Sequence, residues 1–154
     1  LKKRIFIELT SLLNPTELGT NPWKCTIILE ELNLPYENRF VEPENVKKPP
    51  YTDLNPNGRV PCIEDPNTGM VLWESVAINE YLVQTYDSSG ALWCPDGPDH
   101  FIMKQWLYFQ MSGQGPYYGQ GWSYLLYPSF RDEADHLLSW LVCLQTPRIP
   151  PVGD

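Results

Sequence analysis

The sequence has no apolar run near the ~18 residues that a membrane-crossing helix needs, so no transmembrane segment is expected. It also lacks the charged-then-apolar opening that directs secretion. The chain begins at Leu1 rather than methionine, which reads as a missing natural start. Positive charge is scarce: 11 Lys and Arg stand against 19 Asp and Glu, for a net charge of −8. Nucleic acids and anionic membranes attract clustered positive charge, and neither is an expected partner. Histidine occurs twice, at His100 and His136, too far apart in sequence to suggest a metal site. The cysteines Cys25, Cys62, Cys94 and Cys143 form neither a CxxC pair nor a zinc spacing. Without a secretory signal they are expected as free thiols in a reducing cytoplasm. No repeat or low-complexity tract is present.

What remains is a chain of 154 residues, 42% hydrophobic, able to bury a core as one domain or two small ones. Residues 4–9 (RIFIEL) carry the β-branched and aromatic side chains of a strand. Asn21 and Pro22 have the grammar of a helix start, and Cys25, Ile28, Leu29 and Leu32 then recur on one helical face. That helix stops near Asn33, before Pro35. Tyr36 to Val41 reads as a second strand. Residues 42–57 read as a loop with at most a short helix. Arg59 to Glu64 is a strand with a proline near its start, where strands tolerate one. Residues 66–69 form a turn, and Met70 to Trp73 the returning strand. Ser75 is expected to cap a helix bearing Ile78, Tyr81, Leu82 and Tyr86 on one face.

A loose Gly- and Pro-bearing stretch, 87–99, follows as a linker, and the pattern then becomes helical. Phe101 to Met111 places Ile102, Trp106 and Phe109 on one stripe, and Arg131 to Leu144 keeps helical spacing. An aromatic, glycine-rich piece lies between them, and the tail from Pro147 is proline-rich. The order β-α-β then β-β-α is that of thioredoxin. The expected fold is therefore an α/β thioredoxin-like N-terminal domain followed by an all-α C-terminal domain, with boundaries 1–87, 88–99 (linker) and 100–154.

The stretch 19–25 (GTNPWKC) resembles a thiol active site with its thiol displaced. In thioredoxin-like proteins a Cys-Pro pair often opens the first helix; here Asn21 precedes the proline. Cys25 falls on the apolar stripe, where a buried core thiol is the ordinary reading, and Cys62 on a central strand reads the same way.

Four pieces in order resemble the glutathione S-transferase superfamily, in the fungal and bacterial class that includes a yeast nitrogen-catabolite regulator with a prion segment. They are TNPWKCTIILEELNLPY (20–36), NPNGRVPCI (55–63), WESVAINEYL (73–82) and WLYFQMSGQGPYYGQ (106–120). The likeness implies a glutathione S-transferase fold, a homodimer and glutathione as substrate, with no metal. It implies a cis Val60-Pro61 peptide whose Val60 backbone pairs with glutathione, a γ-glutamyl carboxylate at Ser75, and an ammonium at Glu74. Val46, Lys47 and Arg59 would face the glycyl carboxylate, with Lys24 also near. Asn21, then Thr20, with Ser11 behind, are the candidates for activating the thiol. A helix N-terminus favours a thiolate, and raising the thiolate fraction activates a nucleophile that the protein does not itself supply.

Each site has a plainer reading as well. Val60-Pro61 also fits a strand-edge proline, Glu74-Ser75 an ordinary helix cap, Lys47 and Lys48 a solvated loop, and Trp106 and Phe109 a core. The sequence departs from the class at Thr20 to Trp23, in a longer loop over 10–19, and after residue 127, so the helical domain is expected to be shortened. The implied function is a glutathione transferase acting on a hydrophobic electrophile or a mixed disulfide, with disulfide-reductase or peroxidase activity as variants. The alternatives are a non-catalytic regulator of the same fold, although no Asn/Gln-rich segment is present, and an incomplete gene product.

Overall fold

The computed structural model describes residues 2–10 and 21–119. Thr20, Ser11, Cys143, His136 and the expected helix over 131–144 lie outside the described residues. The chain divides into two compact units, residues 1–108 and 109–154.

The first unit is built on four strands, β1 (Ile5–Thr10), β2 (Tyr36–Val41), β3 (Cys62–Asp65) and β4 (Met70–Trp73), in the order β2-β1-β3-β4. β1 runs parallel to β2, pairing Ile5 with Tyr36, and antiparallel to β3, pairing Ile7 with Ile63. β3 and β4 form the expected hairpin. Helices α1 (Asn21–Glu31), α2 (Tyr51–Leu54), α3 (Ser75–Tyr86) and α4 (Gly97–Phe109) accompany the strands, with a 3-10 turn at Pro43–Asn45. The mixed sheet with its parallel first pair is the thioredoxin-like arrangement expected from the element order.

The strand period of two decides where the core sits. Ile5, Ile7 and Leu9 of β1 join Ile63, Cys25 and Leu29 of α1, and Ile78 and Leu82 of α3 in one buried cluster. Fully burying one such side chain stabilises the fold by about 1.5–3 kcal/mol. α1 closes with Asn33 in the left-handed region (φ 49°). The Leu34 N–H bonds the Leu29 carbonyl, and the Asn33 N–H bonds that of Glu30, both at 2.9 Å. This is a Schellman ending, with asparagine where glycine is commoner and Leu34 buried beyond it.

Three boundaries differ from the sequence reading. β3 begins at Cys62 rather than Arg59, because the Arg59 carbonyl is held by side chains instead of a ladder. Ser75 is the first residue of α3, and Glu74 occupies the cap position without a side-chain capping bond. α4 begins at Gly97, inside the expected linker, since Pro98 in a first helical turn forfeits no hydrogen bond. Residues Gln110–Gln114 form a π turn, with the Gly115 N–H on the Gln110 carbonyl. Pro116 follows; its ring clashes with an ordinary helical carbonyl four residues back. Trp106 and Phe109, read from sequence as core, keep 45% and 49% of their surface exposed.

The even-numbered face of β1 holds Glu8, only 3% exposed. Among the described residues, neither carboxyl oxygen has a hydrogen-bond partner. Arg39 on β2 stands 3.8 Å away, but its Nη1 lies 2.7 Å from Glu64. Cys62 is opposite Glu8 on β3, and Tyr51 of α2 lies close enough to feel its charge. Burial, then the Glu64 carboxylate, pushes Glu8 up from 4.5 to about 7, against the pull of Arg39. Folded Glu8 therefore holds its proton through a range in which the unfolded chain has lost it. Its contribution is complete below the unfolded value and is lost as pH rises through the folded one. A shift of this size corresponds to stability on the order of 3 kcal/mol. Thermal melts should show Tm falling between about pH 5 and about pH 8, and Glu8→Gln should flatten that slope. A pH-independent Tm in the parent protein would contradict this account.

Candidate functional site

A small cavity of about 60 Å³ opens where four segments meet, lined by Asn21, Asn55, Arg59, Val60, Pro61, Glu74 and Ser75.

Asn21 is the first described residue of α1, and Ser75 the first residue of α3. The two starts are brought together inside the protein, where the Cys25 Sγ lies 3.6 Å from the Ser75 carbonyl. At α3 the first intrahelical bond runs from the Ile78 N–H to the Glu74 carbonyl at 2.9 Å. The N–H groups before it have no acceptor within the helix and carry the positive end of the helix dipole. Glu74 itself sits at φ 74° and ψ 115°, a left-handed backbone that costs a non-glycine residue on the order of 1–3 kcal/mol. That twist places a carboxylate beside a helix start, in a pocket that also holds the guanidinium-bearing Arg59. Lys24, half-buried in the first turns of α1, is held below the usual lysine range by burial, with Glu74 among the charges opposing the shift.

The third wall comes from residues 55–61. The Val60–Pro61 peptide is cis. Val60 stands two residues ahead of β3, outside its ladder. The Arg59 carbonyl accepts from the Tyr51 hydroxyl at 2.6 Å and from Asn55 Nδ2 at 2.5 Å. Asn55 Oδ1 accepts from the Asn57 N–H at 3.0 Å. Gly58 takes φ 58°, and a Cβ there would meet the Val46 carbonyl oxygen at 2.5 Å.

Six of the residues singled out from sequence thus line one cavity: Asn21, Arg59, Val60, Pro61, Glu74 and Ser75. Val46 and Lys47 do not line it. They pack against Gly58, and Lys47 Nζ donates to the Asn57 carbonyl at 2.7 Å. Asn55 was missed by sequence reasoning. Its signal was Asn-Pro ahead of a glycine, the grammar of a side chain that caps its own turn.

Two of the protein's thiols are unsuited to attack. Cys25 and Cys62 are wholly buried, and burial pushes each up to about 12. Thiolate, not thiol, is the nucleophile. Cys94, by contrast, is exposed.

A family model described as "Glutathione S-transferase, N-terminal domain" matches residues 20–85. The glutathione S-transferase-like protein gedE of Aspergillus terreus is 55% identical over 103 residues, 66% of this chain and 46% of that protein. Glutathione S-transferase 1 of Schizosaccharomyces pombe is 45% identical over 109 residues, 68% of this chain and 48% of its own length. The chain thus spans about half the length of the curated relatives it matches. The crystal structure of the glutathione transferase URE2P8 from Phanerochaete chrysosporium with oxidized glutathione superposes with a TM-score of 0.76 at 34% identity, over 99% of this chain and 72% of that one.

Two outcomes follow from this geometry. Gly58→Ala should destabilise the protein by roughly 1–2 kcal/mol or more, since the left-handed backbone and the Val46 carbonyl both oppose a Cβ; denaturant titration measures it. A thiol-alkylating reagent at about pH 7 should label Cys94 and spare Cys25 and Cys62 until unfolding, as read by peptide mass spectrometry.

Proposed function

Because this chain belongs to the glutathione S-transferase family, in its Ure2-like class, we propose that it binds reduced glutathione at this cavity and activates its thiol. The observation that carries the reading is the single cavity shared by Asn21, Arg59, Val60, Glu74 and Ser75.

The polar lining of the cavity suits the γ-glutamyl head. The carboxylate meets the Ser75 hydroxyl and the N–H groups of the α3 start. The ammonium meets Glu74. Val60 offers its backbone to the cysteinyl unit, as an added strand would pair. Arg59 lies towards the glycyl carboxylate, with Val46 and Lys47 beyond the cavity rim. The cysteinyl thiol then faces Asn21, where an amide donor and the α1 N-terminus favour the thiolate. Thr20 and Ser11 stand behind Asn21 as candidates.

Glutathione's thiolate attacks an electrophilic carbon and expels its leaving group, or attacks one sulfur of a mixed disulfide and releases the other as thiolate. The thiol's proton passes to solvent in either case. Conjugation of this kind suits detoxification, and disulfide-reductase or peroxidase activity uses the same thiolate. The reading places the protein in the cytoplasm, where glutathione is kept reduced, as a homodimer.

Calorimetric titration with reduced glutathione tests the reading. The parent chain should bind saturably, and Ser75→Ala should weaken binding roughly tenfold, the loss of one charge-assisted hydrogen bond. Asn21→Ala should retain binding within a few fold and lose roughly tenfold or more in turnover of an aryl halide. A cooperatively folded parent that binds no glutathione would sink the proposal. Binding without turnover of either substrate class would instead favour a non-catalytic regulator of this fold.

A further inference from the structure

Asn55 lines the cavity, yet the bonds of its side chain run within the protein. Its Nδ2 donates to the Arg59 carbonyl, and its Oδ1 accepts from the Asn57 N–H. Tyr51 does not line the cavity at all, and its hydroxyl donates to the same Arg59 carbonyl. Both residues are buried, at 5% and 2% exposure. The two are joined again through the backbone, where the Asn55 N–H bonds the Tyr51 carbonyl at 2.9 Å, and the Gly58 N–H bonds the Asn55 carbonyl at 2.8 Å. One carbonyl oxygen thus takes two side-chain donors, which uses both its lone pairs. It belongs to the peptide whose nitrogen is that of Val60.

We propose that Tyr51 and Asn55 are a positioning pair: together they fix the Arg59–Val60 peptide plane and so set the direction in which Val60 presents its backbone to the ligand. This role rests on the glutathione reading above. Neither side chain acts on the ligand directly. The peptide plane cannot turn without breaking both bonds, because rotation moves the carbonyl oxygen and the Val60 N–H together. The ladder of β3 starts only at Cys62, so no strand pairing holds this plane in their place. α2, a helix of four residues whose only buried member is Tyr51, has the matching role of delivering that hydroxyl.

Tyr51→Phe is the informative variant, because it keeps the ring, loses one donor and changes nothing in the cavity lining. Glutathione affinity is measured by calorimetry well below the Tm of each variant, so that every chain is folded. Tyr51→Phe should raise Kd roughly three- to tenfold, and the double variant Tyr51→Phe/Asn55→Ala should exceed the product of the two single effects, since each donor alone partly holds the plane. Amide exchange of residues 57–60 in the ligand-free protein should quicken in the same order, a readout that does not depend on glutathione. A purely structural role would lower Tm and leave Kd unchanged. If the parent binds and Tyr51→Phe binds equally well, the pair has no positioning role. If the parent itself binds nothing, the function read above fails, and this role fails with it.

Discussion

The packing of α1 on β1, and of α3 on α1 and the β3–β4 hairpin, is the constraint on which the cavity depends. Asn21 and Ser75 are far apart in sequence, and each simply begins a helix. They share a pocket because Cys25 and Leu29 on one helix, and Ile78 and Leu82 on the other, are buried against Ile5, Ile7 and Leu9. The contact from Cys25 Sγ to the Ser75 carbonyl also joins the two helix starts, but a bond of that kind is worth well under ~1 kcal/mol. Burial of the cluster, at about 1.5–3 kcal/mol for each side chain, is what holds the starts in register. The cysteine that seemed misplaced for redox chemistry is thus a packing residue just beneath the site.

Two buried carboxyls show how differently the sheet treats charge. Asp65, at the end of β3, accepts from the hydroxyls of Tyr81 and Tyr86, each at 2.6 Å, and from the main chain and amide of Asn67, each at 2.9 Å. Burial alone would raise this group; the hydrogen bonds outweigh it and hold the carboxyl below its usual value. The anion anchors the β3–β4 turn to the last turns of α3, the helix whose first residue reaches the cavity. Glu8 is as hidden from solvent but, among the described residues, has no hydrogen bond to either oxygen, and desolvation together with the Glu64 carboxylate wins.

Much of this was legible from local chemistry. The Asn21-Pro22 pair marks the α1 start, β-branched and aromatic side chains mark residues 4–9, the turn at 66–69 marks the hairpin, and the element order marks the sheet. What was hidden follows from contacts or strain. Nothing in Glu74-Ser75 announces that glutamate takes a left-handed backbone; by propensity serine should cap, and tertiary context moved it one place into the helix. Lys47 was placed near the ligand by resemblance, and no local pattern announces that its ammonium donates to the Asn57 carbonyl. The start of β3 could not be placed because its backbone partner is replaced by a tyrosine from α2. The stripe of Trp106 and Phe109 has a core's period without a core's burial, and periodicity alone does not tell those apart.

The wiring of β1 also has a consequence in time. Its partners are β2, which can pair early, and β3, which enters the chain more than fifty residues later. Ser75 comes later still. During synthesis from the N-terminus, Asn21 and the whole of α1 emerge long before the strand and helix that complete their surroundings. The apolar face of α1 therefore waits for distant partners, as non-local strand pairing generally requires. Until α3 has been made and docked there is a helix start at Asn21 but no cavity, and a growing chain has no pocket to occupy before its first unit is nearly complete.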